Sequence, residues 1–329
     1  ARPDASVCAV KPPTPGGVLR LFVAIALTGV LLWTSSPRDV ARALTGVAWP
    51  PLLVAVVLVA VDRVLMAYRW LVLLRPFAGP DGPRFSAVVR IFLVSTFVGT
   101  FLPGTVGGDA VRAYALSQER VPGSAAVASV LMDRLLGMVS ILMAACLGLI
   151  FARQMAEDPL VLTALAITAL ACAAAAALVF SARVAVVAQR LTRWVPGAAP
   201  RASVARVLTA LQTYATRRSD LANVLAGSIG VQALRILQAY CLGLSLGMVQ
   251  PLTVYVAFIP LILLVMLIPV TINGLGTSQA AFVWSFGQVG VSPAVSFTLS
   301  ALFLALGVLG NLPGVLLYAT GGLRRRPTP

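Results

Sequence analysis

The sequence predicts an all-α polytopic membrane protein, an inverted repeat of transmembrane helices with two re-entrant broken-helix hairpins. Three observations carry that reading. Hydrophobic residues make up 59% of the 329 and charged residues only 11%, with a mean hydropathy of +0.95; ordinary globular chains are roughly 45–50% apolar. Continuous Leu-, Val- and Ala-rich runs approach the ~20 residues that a crossing helix needs, whereas a membrane β-barrel would alternate over ~10-residue segments. Two of the runs are interrupted by proline and glycine at matching places.

Crossing segments are expected at 18–34, 50–74, 124–151, 159–180, 221–247 and 293–319. The first follows Lys11 and Arg20 and lacks a clean small-x-small cleavage site, so it reads as an uncleaved span. Residues 85–118 break at Pro103 to Gly108, and 251–288 break at Pro269 to Gly276. In each, the second arm is about 10–15 residues, too short to cross alone.

Basic residues concentrate on the cytoplasmic side of spans. Segment 181–220 carries Arg183, Arg190, Arg193, Arg201, Arg206, Arg217 and Arg218 against Asp220, so it is expected to be cytoplasmic, as amphipathic helices on the membrane. Arg324 to Arg326 place the C-terminus inside as well, while loops 152–158 and 248–250 carry no such excess and fall outside. Threading the spans through these constraints makes both broken regions hairpins that enter from opposite faces. The expected organisation is a cytoplasmic tail at 1–17, one transmembrane domain at 18–320, and a basic tail at 321–329. Within the domain, repeat 1 runs about 50–151, the linker 181–220 and repeat 2 about 221–319.

The repeat has two sequence marks. P-G-T-V-G-G at 103–108 matches P-V-T-I-N-G at 269–274, and R-V-L-M-A-Y at 63–68 matches R-I-L-Q-A-Y at 235–240. Spans 50–74 and 221–247 take opposite directions, the plan of many secondary transporters. Such folds set half-helix N-termini, with free N–H groups and a positive dipole end, at mid-membrane. A broken backbone is tolerated there only where protein or a water-filled cavity surrounds it.

Ionisable side chains in a span are costly and default to a functional reading. Arg63, Arg112, Arg134 and Arg235 form a candidate cavity for an anionic headgroup, since the guanidinium fork suits phosphate. Pro103, Gly104, Thr105, Gly107, Gly108, Asp109 and Asp133 join them from the first half, and Thr271, Asn273, Gly274, Gly276 and Gln279 from the second break. Bland readings stand beside these. Asp62 and Asp133 could only tie helices together, Asp62 to an arginine of the other repeat and Asp133 to Arg112. Arg69 could snorkel to the interface, and Asp109 could cap a helix. Gln232 and Gln238 flank Arg235 on one face. Trp33, Trp49 and Trp70 suit the interfacial aromatic belt.

The chain has no histidine, which excludes His-based acid–base chemistry and His metal sites; its scattered cysteines (Cys8, Cys146, Cys172, Cys241) read as buried thiols. No P-loop or dinucleotide fingerprint is present, so no cofactor or catalytic set is expected. The net charge of +15, almost all arginine, fits topology signals and anionic lipid rather than nucleic acid.

The stretches F-L-P-G-T-V-G-G-D-A-V-R-A-Y at 101–114, I-N-G-L-G-T-S-Q-A-A-F at 272–282, V-G-V-S-P-A at 289–294 and N-L-P-G at 311–314 resemble the lysylphosphatidylglycerol synthase transmembrane-domain family, also called flippase-like. The resemblance covers about residues 18–320. It implies a translocation domain without the synthase domain that accompanies it in bifunctional relatives. It also implies residence in a bacterial or archaeal cytoplasmic membrane with both termini inside. Relatives often carry a glutamate after the second turn, where this chain has Thr277-Ser278-Gln279, which weakens proton coupling there. The function expected is a lipid translocase moving a phospholipid or polyprenyl-phosphate-linked headgroup. The alternative is a membrane-embedded glycosyl- or aminoacyl-transferase, with Asp39, Asp62 or Asp133 as its essential acid. Membrane lipids are the expected partners, with a homo-oligomer or a lipid-modifying enzyme left open.

Overall fold

A computed structural model describes residues 28–78, 82–101, 105–119, 121–152, 157–194, 196–267 and 275–319. Residues 28–34 are helical (α1), followed by α2 (Pro37–Thr45), α3 (Trp49–Leu74), α4 (Phe85–Phe101), α5 (Thr105–Ser117), α6 (Gly123–Phe151) and α7 (Pro159–Phe180). Then come α8 (Ala182–Leu191), α9 (Ala198–Thr213), α10 (Arg218–Ser245), α11 (Leu252–Met266), α12 (Thr277–Gly287), α13 (Pro293–Leu309) and α14 (Pro313–Ala319). No strand forms among the described residues. Helix starts follow local chemistry. Asp158 accepts from the N–H groups of Leu160 and Val161 ahead of Pro159, and Ser292 accepts from Val295 ahead of Pro293.

Among the described residues, five segments are long and apolar enough to span a bilayer: α3, α6, α7, α10, and the stretch Pro293–Leu317 across α13 and α14. The protein is an all-α polytopic membrane protein. The expected first span lies mostly outside the described residues. The expected span 293–319 is two helices, because Pro313 supplies no N–H to continue α13 and starts a new helix after a short turn.

Both broken regions fold back on themselves. In the first, Gly99 of α4 meets Gly108 of α5, and Arg90 pairs with Glu119 further from the break, an antiparallel hairpin. A Cβ on Gly108 would stand 3.0 Å from the Cα of Gly99, so glycine sets the closeness of the arms. In the second, Tyr255 and Phe258 of α11 both meet Phe286 of α12 edge-on. Pro103, Gly104, Thr271, Asn273 and Gly274 lie outside the described residues. Gly107 and Gly108 do not belong to the first break as expected: α5 resumes at Thr105, so both are helical, and Gly108 serves close packing rather than exposed N–H groups.

The described chain therefore shows one order twice: a long helix, a hairpin, then a closing long segment. The two leading helices, α3 and α10, pack antiparallel. Ala48 donates to Ser245 (2.8 Å), Leu65 lies on Gly230, and Tyr68 accepts from Asn223 (3.3 Å). The closing segments cross over reciprocally. Gly148 of α6 abuts the backbone of Val256 and Ala257 in α11, and Gly314 of α14 abuts Leu93 in α4.

The linker departs from a pair of helices simply lying on lipid. Helix α8 keeps an exposed apolar stripe, but α9 docks into the bundle through Ala210 and Leu211, which share a core with Val72, Leu73 and Met132. The Tyr214 hydroxyl donates to the Leu73 carbonyl (2.7 Å), and burial pushes its ionisation up, so the phenol stays a neutral donor. Cys172 is buried as expected, but Cys146 is exposed on α6 and Cys241 is half-buried.

Candidate functional site

Helix α3 is the spine of the site. Asp62 and Arg69 are seven residues apart, so they share one face of a 3.6-residue helix. Around Arg69 lies a fully enclosed group. Arg69 donates to one Asp133 carboxylate oxygen and Arg112 to the other, each through one Nη at 3.0 Å. The Arg112 guanidinium lies 4.0 Å above the ring centre of Trp70 and 5.1 Å from that of Phe92. Trp70 is fixed in turn by its indole N–H, which donates to Ser129 Oγ at 3.1 Å. Gly227 of α10 leaves room for the Arg69 stem, since a Cβ there would stand 2.9 Å from its Cγ.

A second group sits nearer the middle of α3. Arg63 donates to Asp62 (2.8 Å) and to the Gly307 carbonyl of α13 (3.1 Å). Arg235 of α10 approaches the other Asp62 oxygen at 3.8 Å and points a second nitrogen at the Met66 sulfur. A third pair, Asp109 and Arg134, is joined by two bonds of 2.8 and 3.0 Å and is partly exposed.

The first two groups each hold two guanidiniums against one carboxylate, so each carries one uncompensated positive charge, the Asp62 group with Arg235 23% exposed. Unmet donors accompany that charge: the buried Nε atoms of Arg63, Arg69 and Arg112, and Nη2 of Arg112, have no hydrogen-bond partner among the described residues. A buried charge without a full set of partners is expensive.

The structure sorts the expected residues. Arg63, Asp109, Arg112, Asp133, Arg134 and Arg235 come together around α3, α5, α6 and α10. Arg69 does not snorkel: it is buried, because Asp133 and the Gly227 gap hold it inward. Asp109 does not cap α5: four residues of that helix precede it, and Arg134 takes both its oxygens. Trp70 is not in an aromatic belt, being 0% exposed, whereas Trp33 and Trp49 are 81% and 70% exposed. Gln232 turns to Ser140 of α6 (3.0 Å) instead of joining Arg235. The side-chain oxygen of Gln279 is spent within its own turn, accepting from Gly276 N–H (2.6 Å), where φ is +84°, and from Ser278 Oγ (3.0 Å). Sequence reasoning named Arg69 only as a residue that could snorkel and did not single out Ser129 or Gly307. Heptad spacing from Asp62 marks Arg69, while no local signal marks the other two.

A cavity of about 640 Å³ lies apart from the arginines, between the α6–α7 turn and the second hairpin, with Asp158, Thr253, Trp284 and Gln288 on its wall.

The family model for the lysylphosphatidylglycerol synthase TM region matches residues 18–314. The chain belongs to this family. It is also 24% identical over 293 residues to a UPF0104 membrane protein of Methanothermobacter thermautotrophicus, with 82% of this chain and 83% of that protein aligned. Membership in the lysylphosphatidylglycerol synthase TM family accounts for the matched extent from the first expected span to α14.

Proposed function

We propose that this protein is a lipid translocase of the cytoplasmic membrane. In this reading, a phospholipid or polyprenyl-phosphate headgroup passes Arg63, Arg112, Arg134 and Arg235 while its tails stay in lipid. The observation that carries the reading is the excess of enclosed guanidinium over carboxylate, with donors left unmet, inside a polytopic helical bundle. Soluble anions rarely enter such a bundle, whereas a lipid headgroup lies at its edge already. Each interior aspartate is held by arginine, which favours transport over a transferase needing a free acid. The antiparallel leading helices and the reciprocal crossing of closing segments support an inverted repeat, whose halves would rock about α3 and α10. Both hairpins would be re-entrant from opposite faces, with both termini in the cytoplasm and one domain spanning 18–320.

The test is headgroup exchange between leaflets of proteoliposomes, read by quenching of a head-labelled phosphodiester lipid. Wild-type protein should accelerate exchange over empty vesicles, and Arg112→Ala and Arg235→Ala should each lower the rate at least ten-fold. Unchanged rates in both variants would overturn the arginine path.

A further inference from the structure

We propose that the Nε/Nη2 edge of Arg112 is a seat for two oxygens of one singly charged phosphoryl group, a phosphodiester, and that Trp70 and Ser129 are its positioning residues. This rests on the anionic-headgroup reading above and names the chemistry that one point of the path selects. A guanidinium offers two N–H groups side by side along its Nε/Nη2 edge, the edge that takes a carboxylate or phosphate through paired bonds. The protein shows that edge in both conditions. Arg134 fills it with the two oxygens of Asp109, at 2.8 and 3.0 Å. Arg112, with 7% of its side chain exposed, reaches Asp133 only through Nη1, and its Nε and Nη2 have no hydrogen-bond partner among the described residues.

The unfilled edge is held still. Asp133 fixes one end of the guanidinium, the Trp70 ring fixes its plane at 4.0 Å, and Ser129 fixes the indole at 3.1 Å. A planar fork fixed in this way needs little further ordering when an oxyanion arrives. Charge sets the class of ligand. Arg69 and Arg112 share one carboxylate, so the group lacks one negative charge. A phosphodiester supplies one, while a phosphomonoester carries nearly two near neutral pH and would leave a negative charge enclosed. A ligand would enter past Asp109 and Arg134, which are 22% and 46% exposed and lie three residues before Arg112 on α5 and next to Asp133 on α6. The shared chemistry is a phosphoryl oxygen pair, from a lipid or from free phosphate.

Native mass spectrometry of the full chain, delipidated in detergent, would test the seat with three probes: phosphatidylglycerol, phosphatidic acid and inorganic phosphate. We expect phosphatidylglycerol to be retained at least ten-fold better than phosphatidic acid. Arg112→Lys, which keeps the charge but lacks the paired edge, should lose that retention at least ten-fold. Trp70→Phe and Ser129→Ala should weaken it three- to ten-fold, and they carry the test if the lysine variant does not fold. Arg206→Lys, on the exposed face of α9, should leave retention unchanged. Retention of inorganic phosphate at equal concentration, lost in Arg112→Lys, would assign the same seat to the free ion. Equal retention in wild type and Arg112→Lys, or preference for phosphatidic acid, would overturn the proposal. Wild-type protein that binds through Arg112 but moves no lipid would sink the translocase reading and keep the seat; intact transport with Arg112-independent binding would do the reverse.

Discussion

Residues 50–151 enclose Asp62, Arg69, Arg112 and Asp133 between helices, whereas Arg235 is the one charged side chain in residues 221–319. The hairpin of the second half is instead held by rings. Tyr255 and Phe258 meet Phe286 at centroid distances of 5.3 and 5.4 Å, Phe282 stacks on Phe286 at 5.8 Å, and Phe303 lies 5.7 Å from Phe282. Offset and edge-on ring pairs add stability without leaving any polar group to satisfy. One helical order is thus stabilised in two ways. Since the aromatic half shows that packing alone can hold such a hairpin, the enclosed charges of the first half are not required by its shape. In the proposed translocase, a bound headgroup would offset their desolvation cost.

The largest expected effect falls on Asp133. Asp133→Ala would leave Arg69 and Arg112 enclosed without a counter-charge, and should cost about 3–5 kcal/mol, read as a fall in thermal unfolding temperature in detergent. The same loss from an acid in the second half cannot be tested there, because it has none; its counterpart is a ring. Phe286→Ala should also destabilise, by about 3–5 kcal/mol through the cavity left among its partners, while phosphatidylglycerol retention stays at the wild-type level. If Phe286→Ala abolishes retention in folded protein, the two halves do not divide binding from packing as described.

A smaller effect separates the hairpins by backbone spacing. Gly108→Ala forces a Cβ against the backbone of Gly99 and Ser95, and should cost roughly 1–3 kcal/mol by overpacking. Gly287→Ala, at the end of α12 with nothing within 4 Å, should be near neutral in the same unfolding measurement. The smallest change is expected for Arg134→Ala. Its pair with Asp109 is partly exposed, so its removal should shift stability by only about 0–1 kcal/mol. A larger shift would show the pair to be part of the enclosed network rather than its rim.

Much of this was legible before any coordinates. Hydropathy located the five spans seen among the described residues, because a bilayer demands long apolar helices whatever surrounds them. Proline and glycine located both interruptions, and α4, α5, α11 and α12 fall on either side of them. The fate of individual polar side chains was less legible. Arg69 and Trp70 stand near the end of α3, where a snorkelling arginine and a belt tryptophan are the ordinary expectation. They are enclosed because α5 and α6 bring Arg112, Ser129 and Asp133 onto that turn. Gly108 reads locally as part of a loop, and its role appears only when Gly99 arrives from α4.

The sequence by itself determined that this chain is a membrane-embedded helical protein, where its helices are interrupted, and which few residues carry charge into the apolar interior. Those properties depend on transfer from water to lipid and on backbone chemistry, which act residue by residue. Only the tertiary structure decided which aspartate holds which arginine, that one half is ionic where the other is aromatic, and that the Arg112 edge stays unfilled while the Arg134 edge does not. Pairing depends on distances of about 3 Å between residues as far apart in the chain as Arg69 and Asp133, and no local rule of sequence fixes such a distance.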